Sequence, residues 1–404
     1  MPYRWILLGA SLTAMAQEPF TLTDALSRAL SSHPRLAGAE AGIAAAYGLR
    51  AQAGTGPNPR LTLQTENTRF YGSPAFNYGR DADTFVYAAQ TFETGGKRAR
   101  RVDLATVNVR RSEIEREVER RQIVTRVSAA YWAAAGASEL RALLQQELTR
   151  FERVVQYHRD RVKEGATAEV NLLKIEVERD RLASSVRSAA QEATRAAIAL
   201  YREMGQSEFP DVAFSVSLEA APSAAAAPLS QVFELRPEMK LAREGIARAS
   251  ANLRLQQANA KVDPEAQLGY KRTAGFNTVY GAVHIPIPIR NRNQGNIAAA
   301  AAEIRVAESV RTATEAAIRA EVAAAQADYE SRKKLLEETL RPMRDRAAEV
   351  YRIEDAAYRE GGSDILRLLD AERTRIETQS MYTRTLIEYQ QSAVALQAAQ
   401  GMLP

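Results

Sequence analysis

The stretch VKEGATAEVNLLKIEVER at residues 162–179 has a counterpart, YREGGSDILRLLDAERTR, at residues 358–375. Each copy places glycine between two long helical patterns, and glycine permits the backbone to reverse sharply. The four helical arms are predicted over about residues 96–164, 168–204, 294–360 and 363–399. The sequence therefore predicts two long helices, each with an outgoing arm of about 100 Å, that turn back on themselves.

Both outgoing arms carry an apolar residue every three or four positions. The two sets are Leu140, Leu144, Leu148, Phe151 and Val155, and then Leu336, Leu340, Met343, Ala347 and Val350. Such spacing over many turns predicts helices that pack along their length, as in a coiled coil. A helix this long cannot bury itself in one small core, so we expect long helices to lie against one another. These residues are expected to hold the structure and to do no chemistry.

The chain reads as a tandem duplication. HPRLAGAEAGIAAAYGLRAQ at residues 33–52 is echoed by RPEMKLAREGIARASANLRLQ at residues 236–256. Upstream, Thr21 or Thr23 can cap a first helix, and His33-Pro34 interrupts it because proline disfavours helix in the preceding residue. Each repeat continues through a helix, a β-hairpin, a long helix and a return helix. The predicted organisation is a first repeat over 17–205, an equatorial linker over 206–229 and a second repeat over 230–404.

Four short segments alternate apolar and polar residues with the period of a β-strand. They cover residues 60–66, 84–92, 265–271 and 279–289. The predicted apolar faces carry Leu61 and Leu63, then Phe85, Tyr87 and Ala89, then Ala266, Leu268 and Tyr270. Four strands cannot close a barrel, and lipid does not tolerate an open sheet edge. Copies would have to share one barrel, with eight strands from two chains or twelve from three. The alternative is two soluble hairpins that pack on the helices.

The N-terminus has the pattern of a secretory signal peptide, predicted over residues 1–16. Arg4 precedes an apolar run, and Ala14-Met15-Ala16 forms a small-x-small cleavage site. After it, no uninterrupted apolar run reaches the 18 or so residues that a membrane-spanning helix needs. The chain is therefore expected to leave the cytoplasm without a transmembrane helix.

Composition argues against several classes of function. The net charge of +5 arises from basic and acidic residues that are interleaved along the helices, so we predict no nucleic-acid partner. There is no cysteine, and the three histidines fall in unrelated stretches, so neither a metal site nor a cofactor is predicted. No nucleophile-base grouping or phosphate loop can be picked out, and we predict that the protein is not an enzyme.

Together these features resemble the TolC family of outer-membrane efflux channels, and in particular its heavy-metal branch of CzcC-like and CusC-like proteins. The resemblance covers the mature chain. It is carried by PNPRLTL at 57–63, QTFETGGKRARR at 90–101, IPIPIRNRNQGNI at 285–297 and YREGGSDILRLLDAER at 358–373.

The resemblance implies a mainly helical chain with a small membrane β part. Three copies would form a twelve-stranded β-barrel, four strands per chain, in the outer membrane of a Gram-negative bacterium. A twelve-helix α-barrel would continue it into the periplasm. Implied partners are a periplasmic adaptor and an inner-membrane RND-type pump.

The implied function is passive conduction of substrate to the exterior, with heavy-metal cations as the expected cargo. Two alternatives stay open. One is an efflux channel of the same fold for organic compounds, and the other is a periplasmic coiled-coil structural protein.

The resemblance also implies roles for particular residues. The helix-hairpin tips are expected to form the periplasmic entrance and to dock the adaptor, and they are Gly165, Ala166, Gly361 and Gly362. Asp370 falls on a position where the family has an acidic ring at the closed entrance. Arg367 departs from that acidic pattern and could pair with Asp370, which would weaken the ring.

A cluster of basic residues lies where the second strand leads into the first long helix. It consists of Lys97, Arg98, Arg100 and Arg101. At the base of a barrel these residues would meet the lipid headgroups that face the periplasm. The alternative is a solvated helix start.

Overall fold

The computed structural model describes residues 20–214, 218–220, 222 and 226–402, so the predicted signal peptide lies outside the described residues. The helices are α1 (Leu22–Ser32), α2 (Pro34–Ala53), α3 (Tyr78–Asp81), α4 (Lys97–Lys163), α5 (Glu169–Glu203), α6 (Leu229–Leu235), α7 (Pro237–Asn259), α8 (Gln294–Lys334), α9 (Arg341–Arg359) and α10 (Ile365–Gln400). The strands are β1 (Arg60–Glu66), β2 (Asp83–Thr91), β3 (Glu265–Thr273) and β4 (Phe276–His284). The chain is mainly α-helical with one small antiparallel sheet, as predicted.

The first helix shows how local sequence sets an element's bounds. Thr21, and not Thr23, is the cap of α1. The Thr21 Oγ1 accepts from the Asp24 amide at 3.2 Å, and an Asp24 carboxylate oxygen accepts from the Thr21 amide at 2.9 Å. At the other end, α1 stops before Pro34, which opens α2. The predicted interruption is confirmed.

The four predicted long arms are helical, with one irregularity. The second outgoing arm is α8 and α9 joined by a π-helical turn at Leu335–Leu340. The sequence pattern predicts one uninterrupted helix over about residues 294–360. Among the described residues, no helix holds an apolar run long enough to cross a bilayer.

Part of the second predicted apolar set is wrong. Leu336, Leu340 and Ala347 are buried, but Met343 is 38% exposed and Val350 is 51% exposed. Both exposed residues lie beyond the π-helical turn, where Ala347 keeps its predicted place in the core. The residues that follow them, Arg344 and Tyr351, face the core instead. The Arg344 guanidinium lies 4.4 Å from the centre of the Tyr382 ring, and Tyr351 packs against the apolar core.

The first predicted apolar set is buried throughout. All five residues of α4 join one core with residues of α5 and α10, which include Ile175, Leu182, Ile365 and Leu369. Burying one leucine side chain of this kind contributes about 1.5–3 kcal/mol. The return arms are therefore held against α4 by the apolar stripe that the sequence indicated.

The chain forms two compact units, and each draws on both halves of the sequence. Of the described residues, those within 20–34, 120–227 and 321–402 form one unit, and residues 35–119 and 228–320 form the other. The first unit contains the ends of both helical hairpins, and the second contains the sheet. The repeat boundaries at 17–205, 206–229 and 230–404 stay a prediction from sequence.

The four strands form one sheet in the order β1-β2-β3-β4, with every neighbouring pair antiparallel. A tight turn at Ala274-Gly275 joins β3 to β4, and both of its residues have positive φ, 48° and 81°. The strands extend to this turn, two residues beyond the predicted end of β3. The predicted end of β4 at residue 289 is wrong. β4 stops at His284 because Pro286 and Pro288 have no amide proton to donate to a ladder.

Candidate functional site

The first helix-hairpin tip is built by a left-handed glycine. Gly165 has φ 71°, and its amide donates to the Val162 carbonyl at 3.0 Å. The Ala166 amide donates to the Arg161 carbonyl at 2.8 Å. This pair of bonds satisfies the last carbonyls of α4 and lets the chain leave the helix. Gly165 and Ala166 are both exposed.

The second tip repeats the same arrangement. Gly361 has φ 79°, and its amide donates to the Tyr358 carbonyl at 3.1 Å, while the Gly362 amide donates to the Ala357 carbonyl at 2.7 Å. The returning helix α10 is then capped by Asp364, which accepts from two amides of the first turn at 2.8 and 3.0 Å. Two matching sequences thus give two exposed tips of the same geometry. Their adaptor-docking role stays a prediction.

The acidic residue proposed for the entrance lies one turn into α10. The Asp370 side chain is 72% exposed and forms an ion pair with Arg373 at 3.2 Å. The predicted partner, Arg367, is exposed and lies toward the N-terminus of the same helix. Helical side chains lean toward the N-terminus, so the long arginine that follows Asp370 reaches back to it more readily than the one before it. The expected pairing with Arg367 is therefore corrected to Arg373.

An open groove of about 420 Å³ lies beside Asp370, between α5 and α10. Four of its apolar residues are exposed, Val170, Leu173, Val177 and Leu366, and a fifth, Leu369, is buried. Lys174 and Glu178 also line it. This face combines an apolar floor with charges of both signs, which suits a protein surface better than a small ion.

A buried ion cluster, which the sequence did not reveal, joins α4 to α10. Arg375 contacts Glu147 at 2.5 Å and Glu372 at 3.0 Å, and its guanidinium lies 5.0 Å from the centre of the Tyr351 ring. Burial, together with the Glu372 and Asp355 charges, raises the pKa of Tyr351 to about 12. Burial lowers the pKa of Arg375, but the bonds to the two glutamates outweigh it and raise that pKa overall. A signal existed, since Glu147 interrupts the apolar stripe between Leu144 and Leu148.

His158 is a second buried polar group near the tips. Its side chain faces α9, where the Tyr358 hydroxyl lies 3.5 Å from Nε2. Burial, and then the nearby Arg161 charge, lowers the pKa of His158. The imidazole is therefore held neutral between two long helices, seven residues before Gly165.

The four basic residues do lie at the junction of β2 and α4, but the structure divides them. Lys97 is buried, pairs with Asp263 at 2.6 Å and donates to the Lys261 carbonyl at 2.7 Å. Arg101 forms an ion pair with Glu93. Arg98 and Arg100 are exposed, and Arg100 lies 3.2 Å from Asp103. Two of the four thus fasten the junction, and two face outward. Their contact with lipid headgroups stays a prediction.

Two consecutive glycines make this junction possible. Gly95 and Gly96 both have positive φ, 64° and 71°. A Cβ on Gly95 would lie 2.6 Å from the Lys261 Cγ. The sequence TGGK therefore allows the chain to turn from strand into helix while the Lys261 segment packs against it.

One face of the sheet is apolar and exposed. In the strand register Leu61 stands opposite Ala88 and Leu63 opposite Val86, and these pairs continue to Leu268 and Tyr270 on β3. The face ends on β4 with Val279 and Val283, which are 81% and 67% exposed. An exposed apolar patch of this extent marks a contact with lipid or with another protein.

The three residues predicted to share one face of β2, Phe85, Tyr87 and Ala89, lie on the face of the sheet opposite to Leu61 and Leu63. Phe85 stands opposite Gln64 and Tyr87 opposite Thr62, so both aromatics share the polar face of β1. There they pack on Tyr280, with ring centres 6.0 and 5.0 Å away. Alternation fixes which residues share a face, but the pairing register decides which face it is. Val86 and Ala88 are the β2 residues on the apolar side.

The sheet has two open edges within the described part of the chain. β1 pairs only with β2, and β4 pairs only with β3. Each outer edge leaves a row of backbone donors and acceptors that another strand can satisfy. An apolar, exposed sheet with two open edges is built to be completed by further strands.

Comparison with known proteins agrees with this geometry. The sequence model of the family described as Outer membrane efflux protein matches residues 25–206. The chain is 25% identical to the cobalt-zinc-cadmium resistance protein CzcC of Cupriavidus metallidurans over 392 residues, which cover 96% of this chain and 91% of that protein.

Solved structures give the same result for the fold. The crystal structure of CusC superposes with a TM-score of 0.79 at 17% identity, over 95% of this chain and 92% of that one. The open-state outer membrane channel MtrE of Neisseria gonorrhoeae gives a TM-score of 0.77 at 17% identity, over 94% and 88% of the two chains. The chain therefore has the fold of the outer-membrane efflux channels to which it is similar.

Proposed function

We propose that the protein is the exit channel of a tripartite efflux system that carries heavy-metal cations from the periplasm to the exterior. It works as a homotrimer with a periplasmic adaptor and an inner-membrane RND-type pump. The cargo is proposed from the similarity to CzcC, which extends over nearly the whole of both chains. The channel is a passive duct, and the pump supplies both energy and selectivity.

The observation that carries the proposal is the open-edged sheet. Strands of seven to nine residues with one exposed apolar face suit the outer membrane. Lipid offers no hydrogen bonds to β1 and β4, so copies must pair edge to edge until the sheet closes. Three copies give twelve strands, enough for a lumen, and their long helices give a twelve-helix duct.

The tips at Gly165 and Gly361 are the proposed docking points for the adaptor. Both are exposed, and both end helices whose apolar stripes hold the hairpins together. Three copies of Asp370 around a three-fold axis would form an acidic ring that attracts cations. Arg373 reduces the effective charge of that ring, because it pairs with Asp370 in each copy.

Deletion of the gene followed by growth on metal salts tests the cargo. The expected result is sensitivity to divalent transition-metal cations, with growth on organic toxicants unchanged. Sensitivity to organic toxicants alone would favour the alternative channel for organic compounds. Unchanged growth on both would contradict the efflux proposal.

The acidic ring is tested by conductance in a planar bilayer. Asp370→Asn is expected to reduce the preference for cations over anions, because it removes one charge per copy from the constriction. Asp180→Asn, an equally exposed carboxylate on α5, is the matched control and should leave the preference unchanged. Equal ion selectivity in wild type and Asp370→Asn would show that Asp370 does not contribute to the gate.

A further inference from the structure

A basic cleft lies where β4 ends and the chain leads into α8. It has a volume of about 770 Å³ and is lined on one side by Lys97, Lys261 and Asp263. On the other side lie the residues between the last strand and the helix, including Ile287, Arg290 and Arg292. The cleft belongs entirely to the unit that contains the sheet.

The charges of the cleft do not balance. Lys97 and Asp263 neutralise each other at 2.6 Å. Lys261, Arg290 and Arg292 are exposed, and no acidic side chain in the described ranges forms an ion pair with any of the three. The Arg292 Nε donates to the Pro288 carbonyl at 3.2 Å, which holds its guanidinium beside the segment that lines the cleft. Three positive charges thus surround one concave surface.

An apolar stripe leads into these charges. Val279 and Val283 belong to the exposed apolar side of β4, and the alternation continues past the strand end through Ile285, Ile287 and Ile289. These three isoleucines are 61%, 78% and 75% exposed. Such exposure is costly in water and favourable against acyl chains. The stripe extends the apolar sheet face beyond the last ladder bond and ends at Arg290.

The position of the charges suits a phosphate at the membrane surface. Arginine binds phosphate through two parallel N–H bonds, and basic residues next to an apolar surface attract anionic headgroups. Pro286 and Pro288 keep the segment out of the ladder, so it runs free of β3 beyond His284. Acyl chains would lie along the isoleucines while the headgroup reaches Arg290, Arg292 and Lys261.

The geometry points to a binding site for an anionic glycerophospholipid in this cleft, in the periplasm-facing leaflet of the outer membrane. The inference rests on the proposed membrane channel, and it adds a ligand that the channel function does not require. The lipid would hold the strand-to-helix connection at the leaflet surface. The cleft is distinct from the outward-facing Arg98 and Arg100, which do not line it.

The test is native mass spectrometry of the full-length protein in detergent, titrated separately with dioleoylphosphatidylglycerol and dioleoylphosphatidylcholine. Wild type is expected to retain the anionic lipid preferentially. The double variant Arg290→Gln/Arg292→Gln should lose roughly 25-fold of that preference, about fivefold for each charge removed near an anionic headgroup. The matched control is Arg305→Gln/Arg311→Gln, two exposed arginines farther along α8, and it should keep the preference.

Two further arms identify what the cleft binds. Ile287→Ser should weaken lipid retention, because it removes apolar contact and leaves the charges in place. Glycerol 1-phosphate alone should bind far more weakly than the lipid, and equal binding would overturn the lipid assignment in favour of a free phosphate.

The inference is wrong if wild type retains both lipids equally, as it would if a neighbouring copy filled the cleft. It is also wrong if the Arg290/Arg292 double variant keeps the preference. Conductance in neutral phosphatidylcholine bilayers is measured in parallel. A double variant that conducts but has lost the lipid separates this site from the channel function, and a wild type that binds lipid without conducting would count against the channel alone.

Discussion

At the scale of single residues, the two glycines of the second tip differ, because only one of them has a left-handed backbone. Gly361 has φ 79°, whereas Gly362 has no positive φ, and a Cβ there would meet only an ordinary contact at 3.6 Å. A non-glycine residue in the left-handed region costs about 1–2 kcal/mol. The two neighbours therefore form a matched pair for testing the tip geometry.

We expect Gly361→Ala to lower the free energy of unfolding of the helical hairpin by about 1–2 kcal/mol. Gly362→Ala should change it by less than about 0.5 kcal/mol, as surface substitutions usually do. Thermal unfolding followed by circular dichroism measures both. Equal losses in the two variants would mean that the positive φ of Gly361 does not determine the turn.

His158 predicts a dependence of stability on pH. Its pKa in the folded protein lies below the usual histidine value, so the unfolded chain takes up a proton first as the pH falls. Stability should therefore decrease from just above pH 6.5 down to the lowered pKa, and stay constant above that window. His158→Gln should flatten this part of the profile. Tyr358→Phe, which keeps the buried imidazole, should retain it, and a profile identical in wild type and His158→Gln would contradict the assignment.

At the scale of elements, much of the fold could be predicted because it follows from local patterns. The caps at Thr21 and Gly165, the break at Pro34 and the first apolar stripe are all decided by a few neighbouring residues. The π-helical turn at Leu335–Leu340 could not be predicted, since it depends on packing against α10 and leaves no mark in the spacing. The orientation of Phe85 depended on a register set between strands.

The candidate site was predictable only in part, for the same reason. Glycine residues located the tips in the sequence, and a cluster of basic residues located the strand-to-helix junction. The partners of Asp370 and Lys97 required the folded chain, because Asp263 lies 166 residues from Lys97. The Glu147–Arg375 contact spans 228 residues, and only an acidic residue on an apolar stripe hinted at it.

That ion cluster predicts a large effect between elements. Glu147→Gln should destabilise the packing of α4 on α10 by about 3–5 kcal/mol, because Arg375 would keep its charge in a buried site with one fewer carboxylate partner. Glu377→Gln, an exposed carboxylate 3.7 Å from Arg373, is the control and should cost less than about 1 kcal/mol. Chemical denaturation compares the two. Similar losses of unfolding free energy in the two variants would show that the buried cluster does not stabilise the packing of α4 on α10.

At the scale of the whole molecule, the two faces of the sheet should differ in the membrane. Leu63→Arg places a charge on the apolar face and should cost about 2–4 kcal/mol of membrane stability if the residue lies near the bilayer centre. Gln64→Arg places the same charge on the opposite face and should be tolerated. Outer-membrane fractionation and heat-modifiable migration on a gel measure both. Loss of the Gln64→Arg protein with retention of Leu63→Arg would invert the assignment of the faces.

We propose that one chain supplies only part of a closed sheet. In lipid the two open edges, β1 and β4, would each need a strand from another copy to satisfy their backbone hydrogen bonds. The most direct measurement is the mass of the detergent-extracted full-length protein by size-exclusion chromatography with light scattering. We expect an assembly of three chains, and a stable monomer in mild detergent would rule out a barrel shared between copies.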